Sequence, residues 1–279
     1  VTTDHPFRDL TTLTTTGEGA WSAHIAPTWT IGPKVHGGCM LAVSAAAARR
    51  AGIGAGADPA VQPLAVSASF VSAPDPGDVQ VTTVVRKLGK QVSVVETELG
   101  QDGRVAVRAS VTLGVPDGGE PRYAVPHPAT EMPAQPPENA LVVTPAHPMG
   151  QIVNLCGSVD MRVDESTAGF LRGDQEGDPR IAMWTKLRPA DERDLDTVAL
   201  FALMAGDISA PVTMNRGMFG WAPTVQLTAY LRALPAQGWL RLTNESIVLG
   251  QTWFESDHTV VDSAGAVVVQ SRQLAMIPR

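Results

Sequence analysis

The sequence predicts an α+β chain built from two copies of one unit, each a central helix wrapped by an antiparallel run of strands. Three observations predict it. Residues 64–115 and 224–277 carry the same punctuation, four strand-like runs divided by a Pro/Gly turn, a Gly turn and an Asp/Gly or Ala/Gly turn. Each set of runs is preceded by one apolar, helix-forming segment. A proline-rich stretch from about 116 to 150 parts the two sets.

In chain order, a short strand-like run lies around Trp21–Trp29 and a turn at Gly32-Pro33-Lys34. From His36-Gly37-Gly38 to Arg50 the residues are mostly Ala, Leu and Met, a composition that forms a helix apolar on most sides. Such a helix must be wrapped instead of laid on a surface. Gly52, Gly54 and Gly56 stop it. Strands follow at about 64–72, 78–88, 90–100 and 103–115, with alternation in Val79-Gln80-Val81-Thr82 and Val105-Ala106-Val107-Arg108. The proline-rich stretch has almost no periodicity and reads as an extended connector. The second unit has a strand at Ile181–Leu187, a turn at Pro189 and a helix from Glu192 to Asp207, acidic in its first turn. A long helix wrapped by a curved antiparallel sheet is the hot dog architecture, and two in one chain make a double hot dog. The expected division is residues 1–116 for the N-terminal hot dog, 117–150 for the connector and 151–279 for the C-terminal hot dog.

Composition excludes several classes. The 279 residues are 44% hydrophobic and 18% charged, a globular balance, and the net charge of −7 argues against a nucleic-acid partner. An anionic small molecule needs only a local basic mouth. Cys39 and Cys156 make no disulfide framework, and the histidines have no metal-ligand spacing, so neither metal nor cofactor is expected. Val1–Leu10 lack the basic and apolar regions of a signal peptide, and no window holds the roughly 18 apolar residues of a membrane span. A cytoplasmic location is the expectation, and Asn244-Glu245-Ser246 reads as an accidental sequon.

A duplicated fold keeps its packing pattern, so polarity present in one copy alone asks for another reason. Setting Phe70 on Tyr230 and Gly103 on Gly265 puts Leu64 opposite Thr224 and Val111 opposite Gln273.

Longer strings add to this pattern. PKVHGGCMLAVSAAAARRAG and FVSAPDPGDVQVTTVVRKLGKQVSVVETEL resemble the N-terminal half of the bacterial acyl-CoA thioesterase II family. ALMAGDISAP, PTVQLTAYLRALP, GWLRL and VVVQSRQLAMIPR resemble its C-terminal half. The likeness covers nearly the whole chain, and the order and spacing of the strings make it specific. It implies a double hot dog that hydrolyses fatty acyl-CoA thioesters without metal or covalent intermediate, as a homo-oligomer. By its pattern Asp207, Thr224 and Gln273 hold the attacking water. The family's usual Gln-Glu-Gly is Gln273-Leu274-Ala275 here, and Gln226 replaces a commoner Asp.

Thioester hydrolysis needs an oriented water, a proton acceptor and donors for the oxyanion. Of the three residues only Asp207 can act as a base near neutral pH. The plainer reading of Asp207 is a solvated acid beside Gly206, yet an acid at a helix C-terminus is electrostatically disfavoured. Thr224 is equally readable as a β-former opening a strand, whereas Gln273 shares inward parity with Val269 and Val267. His36, Gly37 and Gly38 form the candidate substrate-binding turn, where free helix N–H groups favour a carbonyl oxygen or phosphate. The alternative is that these glycines serve tight helix–sheet packing. His36 and Cys39 also carry the spacing of a thiol–imidazole pair, with Cys39 as a small buried residue the preferred reading. No Gly-x-Ser-x-Gly elbow exists. Met204, Phe201 and Met218 are candidates to line an apolar acyl tunnel. The alternatives are a non-catalytic acyl-CoA-binding protein and a hot dog hydratase or dehydratase, the latter disfavoured because no histidine lies close in sequence to Asp207.

Overall fold

The structure is a computed structural model that describes residues 3–278. Helix α1 (Pro6–Thr11) precedes strands β1 (Thr14–Gly17) and β2 (Ala20–Ile25) and a small hairpin, β3 (Thr30–Ile31) with β4 (Lys34–Val35). Helix α2 (Gly37–Gly54) leads into β5 (Gln62–Phe70), β6 (Gly77–Lys87), β7 (Ser93–Gln101) and β8 (Arg104–Gly114). Helix α3 (Pro128–Glu131) and β9 (Leu141–Val143) lie within the proline-rich stretch. Strands β10 (Asp160–Val163) and β11 (Arg180–Lys186) precede helix α4 (Leu195–Ala205). The chain closes with β12 (Thr224–Leu231), β13 (Leu240–Glu245), β14 (Trp253–Val261) and β15 (Val267–Met276).

Thirteen strands form one antiparallel sheet, and its order displays the duplication. From the central β5–β12 pair the order runs β8-β7-β6-β2 to one side and β15-β14-β13-β11 to the other. The bulges fix the equivalence residue by residue. Pairing of β5 with β8 slips between Pro63 and Ala65, and pairing of β12 with β15 slips between Thr224 and Gln226. The bulged residues Leu64 and Val225 are therefore counterparts, so Pro63, not Leu64, answers to Thr224. The sequence alignment was off by one along this strand because it set Phe70 on Tyr230, whereas the ladders make Leu231 the counterpart of Phe70. Val111 pairs with Val66, and Gln273 with Leu227, which keeps Val111 and Gln273 as counterparts.

The helices lie against each other under this sheet. Every residue of α2 from Gly38 to Ala45 is buried, as its all-round apolar composition requires, and it packs on β5–β8 and on α4. Helix α4 is buried from Thr197 to Ala205. It is shorter than the acidic run suggests, because Asp194 takes an extended conformation and its carboxylate caps the Thr197 N–H at 3.0 Å. Residues Asp191–Arg193 form a separate 3-10 turn, and the buried Asp191 carboxylate accepts from the N–H groups of Phe7 and Arg8 at 2.9 and 3.2 Å, docking α1.

The proline-rich stretch is packed, not free. Met132 and Ala140 pack with Ala182 and Trp184, and the Trp184 indole donates to Pro133 O at 2.8 Å. No helix among the described residues is long and apolar enough to cross a membrane.

Candidate active site

The C-terminal end of α4 meets the N-terminal end of α2, and Asp207 lies at the junction. It follows the capping Gly206, with its own N–H bonded to Met204 O at 3.0 Å. Its side chain is 8% exposed and lies beside the first turn of α2, whose Gly38 N–H favours the charged carboxylate. This resolves the conflict posed by an acid at a helix C-terminus: the positive end of α2 compensates for the negative end of α4. The His36 Nε2–H donates to the Asp207 backbone carbonyl at 2.9 Å and stands 3.7 Å from Oδ2. Burial nevertheless dominates and raises the Asp207 pKa above the ordinary carboxylate value, opposed by His36 and by the Gly38 N–H.

Glycine is required here by close approach. A Cβ on Gly37 would sit 2.7 Å from Asp207 Oδ2 and 3.3 Å from the Phe70 ring. One on Gly38 would sit 2.8 Å from the Met204 carbonyl oxygen. The packing reading of these glycines accounts for both: the turn lies against the Asp207 carboxylate, Phe70 and the end of α4.

Thr224 and Gln273 meet on neighbouring strands. The Thr224 hydroxyl donates to Gln273 Oε1 at 2.9 Å, and Gln273 Nε2 donates to the buried Ser256 Oγ at 2.9 Å. Ser256 thereby anchors the far edge of the amide. Two links tie this pair to Asp207. Phe70, ending the strand that pairs with β12, lies against Gly37. Ser271, two residues before Gln273 on the same face of β15, donates to Gly206 O at 2.5 Å.

Cys39 is fully buried, with Sγ 3.8 Å from His36 Nδ1 and 3.6 Å from Met204 Sδ. Burial, and then the nearby negative charge of Asp207, push its thiol pKa well up, which opposes a thiolate nucleophile. Of the residues read from sequence as lining an acyl tunnel, Phe201 packs edge-to-face on Phe7 at 5.3 Å, Met204 lies on Cys39, and Met218 is half-buried. Proximity in sequence also misled about histidine, since His36, 171 residues away, is the imidazole beside Asp207. No cluster of potential metal ligands occurs among the described residues.

At the other end of the helix pair, the C-terminus of α2 meets the N-terminus of α4 beside a cleft of about 320 Å³. Its carboxylate, Asp196, is tied by Arg49 at 2.9 Å and by Gln62 Nε2 at 2.6 Å. Both of its oxygens are thereby engaged.

Residues 25–114 match the acyl-CoA thioesterase N-terminal domain, and residues 129–277 match the acyl-CoA thioesterase C-terminal domain. The chain belongs to the acyl-CoA thioesterase family. An uncharacterized protein of Mycobacterium tuberculosis (strain ATCC 25618 / H37Rv) is 48% identical over 276 residues, 94% of this chain and 90% of that protein. The crystal structure of a proposed thioesterase II from Thermobifida fusca YX superposes with a TM-score of 0.83 at 27% identity, covering 98% of this chain and 97% of that one. A hot dog protein of unknown function from Alicyclobacillus acidocaldarius shares the fold, with a TM-score of 0.77 at 18% identity over 100% and 99% of the two chains. The architecture of this thioesterase-family chain is therefore the double hot dog.

Sequence reading missed Ser256, Ser209, His258, Asn244 and Ser271, all of which lie under the C-terminal end of α4. The signal was present, because the comparison of copies was carried through Thr224 and Gln273 alone. The ladders β7–β8 and β14–β15 place Val95 opposite Val111 where Ser256 stands opposite Gln273. Asn244 is buried, and its Nδ2 donates to Ser209 Oγ at 2.7 Å, so the sequon is closed to glycosylation in the folded chain.

Proposed function

We propose that the protein hydrolyses acyl-CoA thioesters to a free acid and CoA at the junction of α2 and α4. Asp207 takes the proton of an attacking water, and Thr224 with Gln273 supplies that water's remaining polar partners. The observation that carries this reading is the environment of Asp207, a buried carboxylate with a raised pKa held against a helix N-terminus. Burial makes the carboxylate a stronger base than a solvated one, an effect that His36 and the Gly38 N–H only partly oppose. The Thr224 hydroxyl spends its proton on Gln273, so the oxygen of either residue can accept the water's second proton. Beside Asp207, the Gly37 N–H in the first turn of α2 is the donor for the thioester oxygen as negative charge develops on it. His36 holds the backbone of Asp207 in place.

A dehydratase reading draws on the same Asp207–His36 proximity. It requires an imidazole free to exchange a proton with substrate, yet here Nε2 is bonded to Asp207 O and Nδ1 faces Cys39 Sγ. The unequal copies and the Arg49–Asp196 pair support one competent site per chain.

Release of CoA from acyl-CoAs of graded chain length tests the proposal. Turnover on at least one length is expected. Tight binding without CoA release across the series would turn the reading toward a non-catalytic acyl-CoA-binding protein, and reversible hydration of enoyl-CoA toward a hydratase.

A further inference from the structure

Behind Asp207 lies a polar cluster that the proposed hydrolysis does not use. Ser209, two residues past Asp207, accepts from Asn244 Nδ2 at 2.7 Å and lies 3.0 Å from His258 Nε2. Asn244 and His258 face each other across β13 and β14, and His258 faces Ser271 across β14 and β15, so the three form one row on the inner face of the sheet. Asn244 and His258 are 1% and 2% exposed. On the near side of Asp207, Ser271 holds Gly206 O at 2.5 Å. The backbone that presents Asp207 is therefore tied to the sheet immediately before it and two residues after it.

The sister copy shows that packing alone does not require this. Counting along matching ladders from Val111 and Gln273, the counterparts of Ser271, His258 and Asn244 are Ala109, Thr97 and Thr83. The same sheet closes over the same kind of helix there with a methyl group and two threonines. A buried histidine and asparagine cost more to desolvate than those residues, and two of their atoms, His258 Nδ1 and Asn244 Oδ1, remain without a partner. Thr97 Oγ1 in the sister copy is unpartnered as well, but the larger polar groups, an imidazole and an amide, stand only in the copy whose helix ends in Asp207.

We propose that Ser209, His258 and Asn244 act as positioning residues for Asp207, a brace that aims its carboxylate between the α2 N-terminus and the Thr224–Gln273 pair. This inference rests on the reading of Asp207 as the base. Ser209 is the joint of the brace, since its single hydroxyl meets both sheet residues and belongs to the segment that leaves α4. Burial suits His258 to this task, lowering its pKa to about 3 so that it stays neutral and places no cation beside His36.

The test uses Ser209→Ala and His258→Thr, the latter borrowing the sister copy's residue, with Ser209→Thr and His258→Gln as variants that restore a hydroxyl or a neutral hydrogen-bonding group. Misplacing a reacting group by about 1 Å costs on the order of a hundredfold, so losing one tie of the brace should lower kcat by about tenfold or more. KM and the thermal midpoint of Ser209→Ala should move little, and the restoring variants should recover most of kcat. A purely structural role would move the midpoint and KM without that selective loss. If Ser209→Ala and His258→Thr keep kcat within about twofold of the parent while Asp207→Asn has lost it, the brace is overturned and the base assignment stands. Should His258→Thr fail to fold, the Ser209 pair decides alone. An acyl ester trapped on Ser209 would overturn both, and an active Asp207→Asn enzyme would overturn the base assignment itself.

Discussion

Alanine at Gly37 sets a methyl group against the carboxylate proposed as the base. The added Cβ would lie 2.7 Å from Asp207 Oδ2 and 3.3 Å from Phe70 Cε1, so it has no room to turn away. Carbon–oxygen contact is comfortable near about 3.4 Å, so the carboxylate must retreat by roughly 0.7 Å. A shift approaching 1 Å costs on the order of a hundredfold in rate, and we expect kcat to fall by about 30- to 100-fold. Alanine is the better helix former by about 1 kcal/mol, which offsets part of the local strain and keeps the variant folded. Gly54, at the far end of the same helix, supplies the control, because a Cβ there meets nothing within 4 Å. CoA release under saturating acyl-CoA, with a thermal melt for each variant, provides the readout. A Gly37→Ala enzyme with parental kcat would refute the placement of the base against this turn, and equal losses in Gly54→Ala would point to a general effect on the helix.

The remaining expectations concern protonation, stability, the thiol and site number. Activity should rise with pH through an ionisation above the ordinary carboxylate value, since burial raises the Asp207 pKa and only the ionised form accepts a proton; a pH–rate profile already flat at that ordinary value would contradict it. A raised folded-state pKa means that the folded chain holds its proton longer than the unfolded one, so the contribution of Asp207 to stability declines as pH climbs from the unfolded value through the folded one. Asp207→Asn should therefore melt no lower than the parent at neutral pH, and a marked fall in its midpoint would count against the burial penalty. Cys39→Ala should keep most activity at a cost of about 1–2 kcal/mol in stability, whereas loss of turnover with an acylated peptide spanning Gly37–Arg49 in the quenched parent would make Cys39 the nucleophile. Titration with a non-hydrolysable acyl-CoA analogue should saturate near one per chain, and two equivalent hydrolysing sites would contradict the difference between the copies.

Much of the fold was legible because it rests on local signals. The alanine-rich run after His36 demanded burial on all sides, and Gly/Pro turns at matched spacing marked the duplicated strands. The helix expected from Glu192 to Asp207 came out shorter because Asp194 caps it from inside the acidic run, a choice set by one carboxylate–N–H bond. The one-residue offset between β5 and β12 went unseen because both strands alternate alike, and only the ladders show that Phe70 answers to Leu231. Within the candidate site, polarity that broke the repeat pointed to Gln273. The approach of Gly37 to Asp207 and of His36 to the same residue depends on how two distant helices abut, which no local pattern encodes. Ser256, Ser209 and His258 were readable in principle from the same comparison of copies, had it been extended along every inward position.

The most direct measurement is the hydrolysis rate of Asp207→Asn under saturating acyl-CoA, with binding measured in parallel. The asparagine preserves shape and removes the proton acceptor, and loss of a general base costs about a hundredfold or more. Binding close to that of the parent with at least about a hundredfold slower CoA release is the expected result. Turnover near the parental rate would place the proton acceptor elsewhere and leave the buried carboxylate at the α2–α4 junction without the role proposed for it.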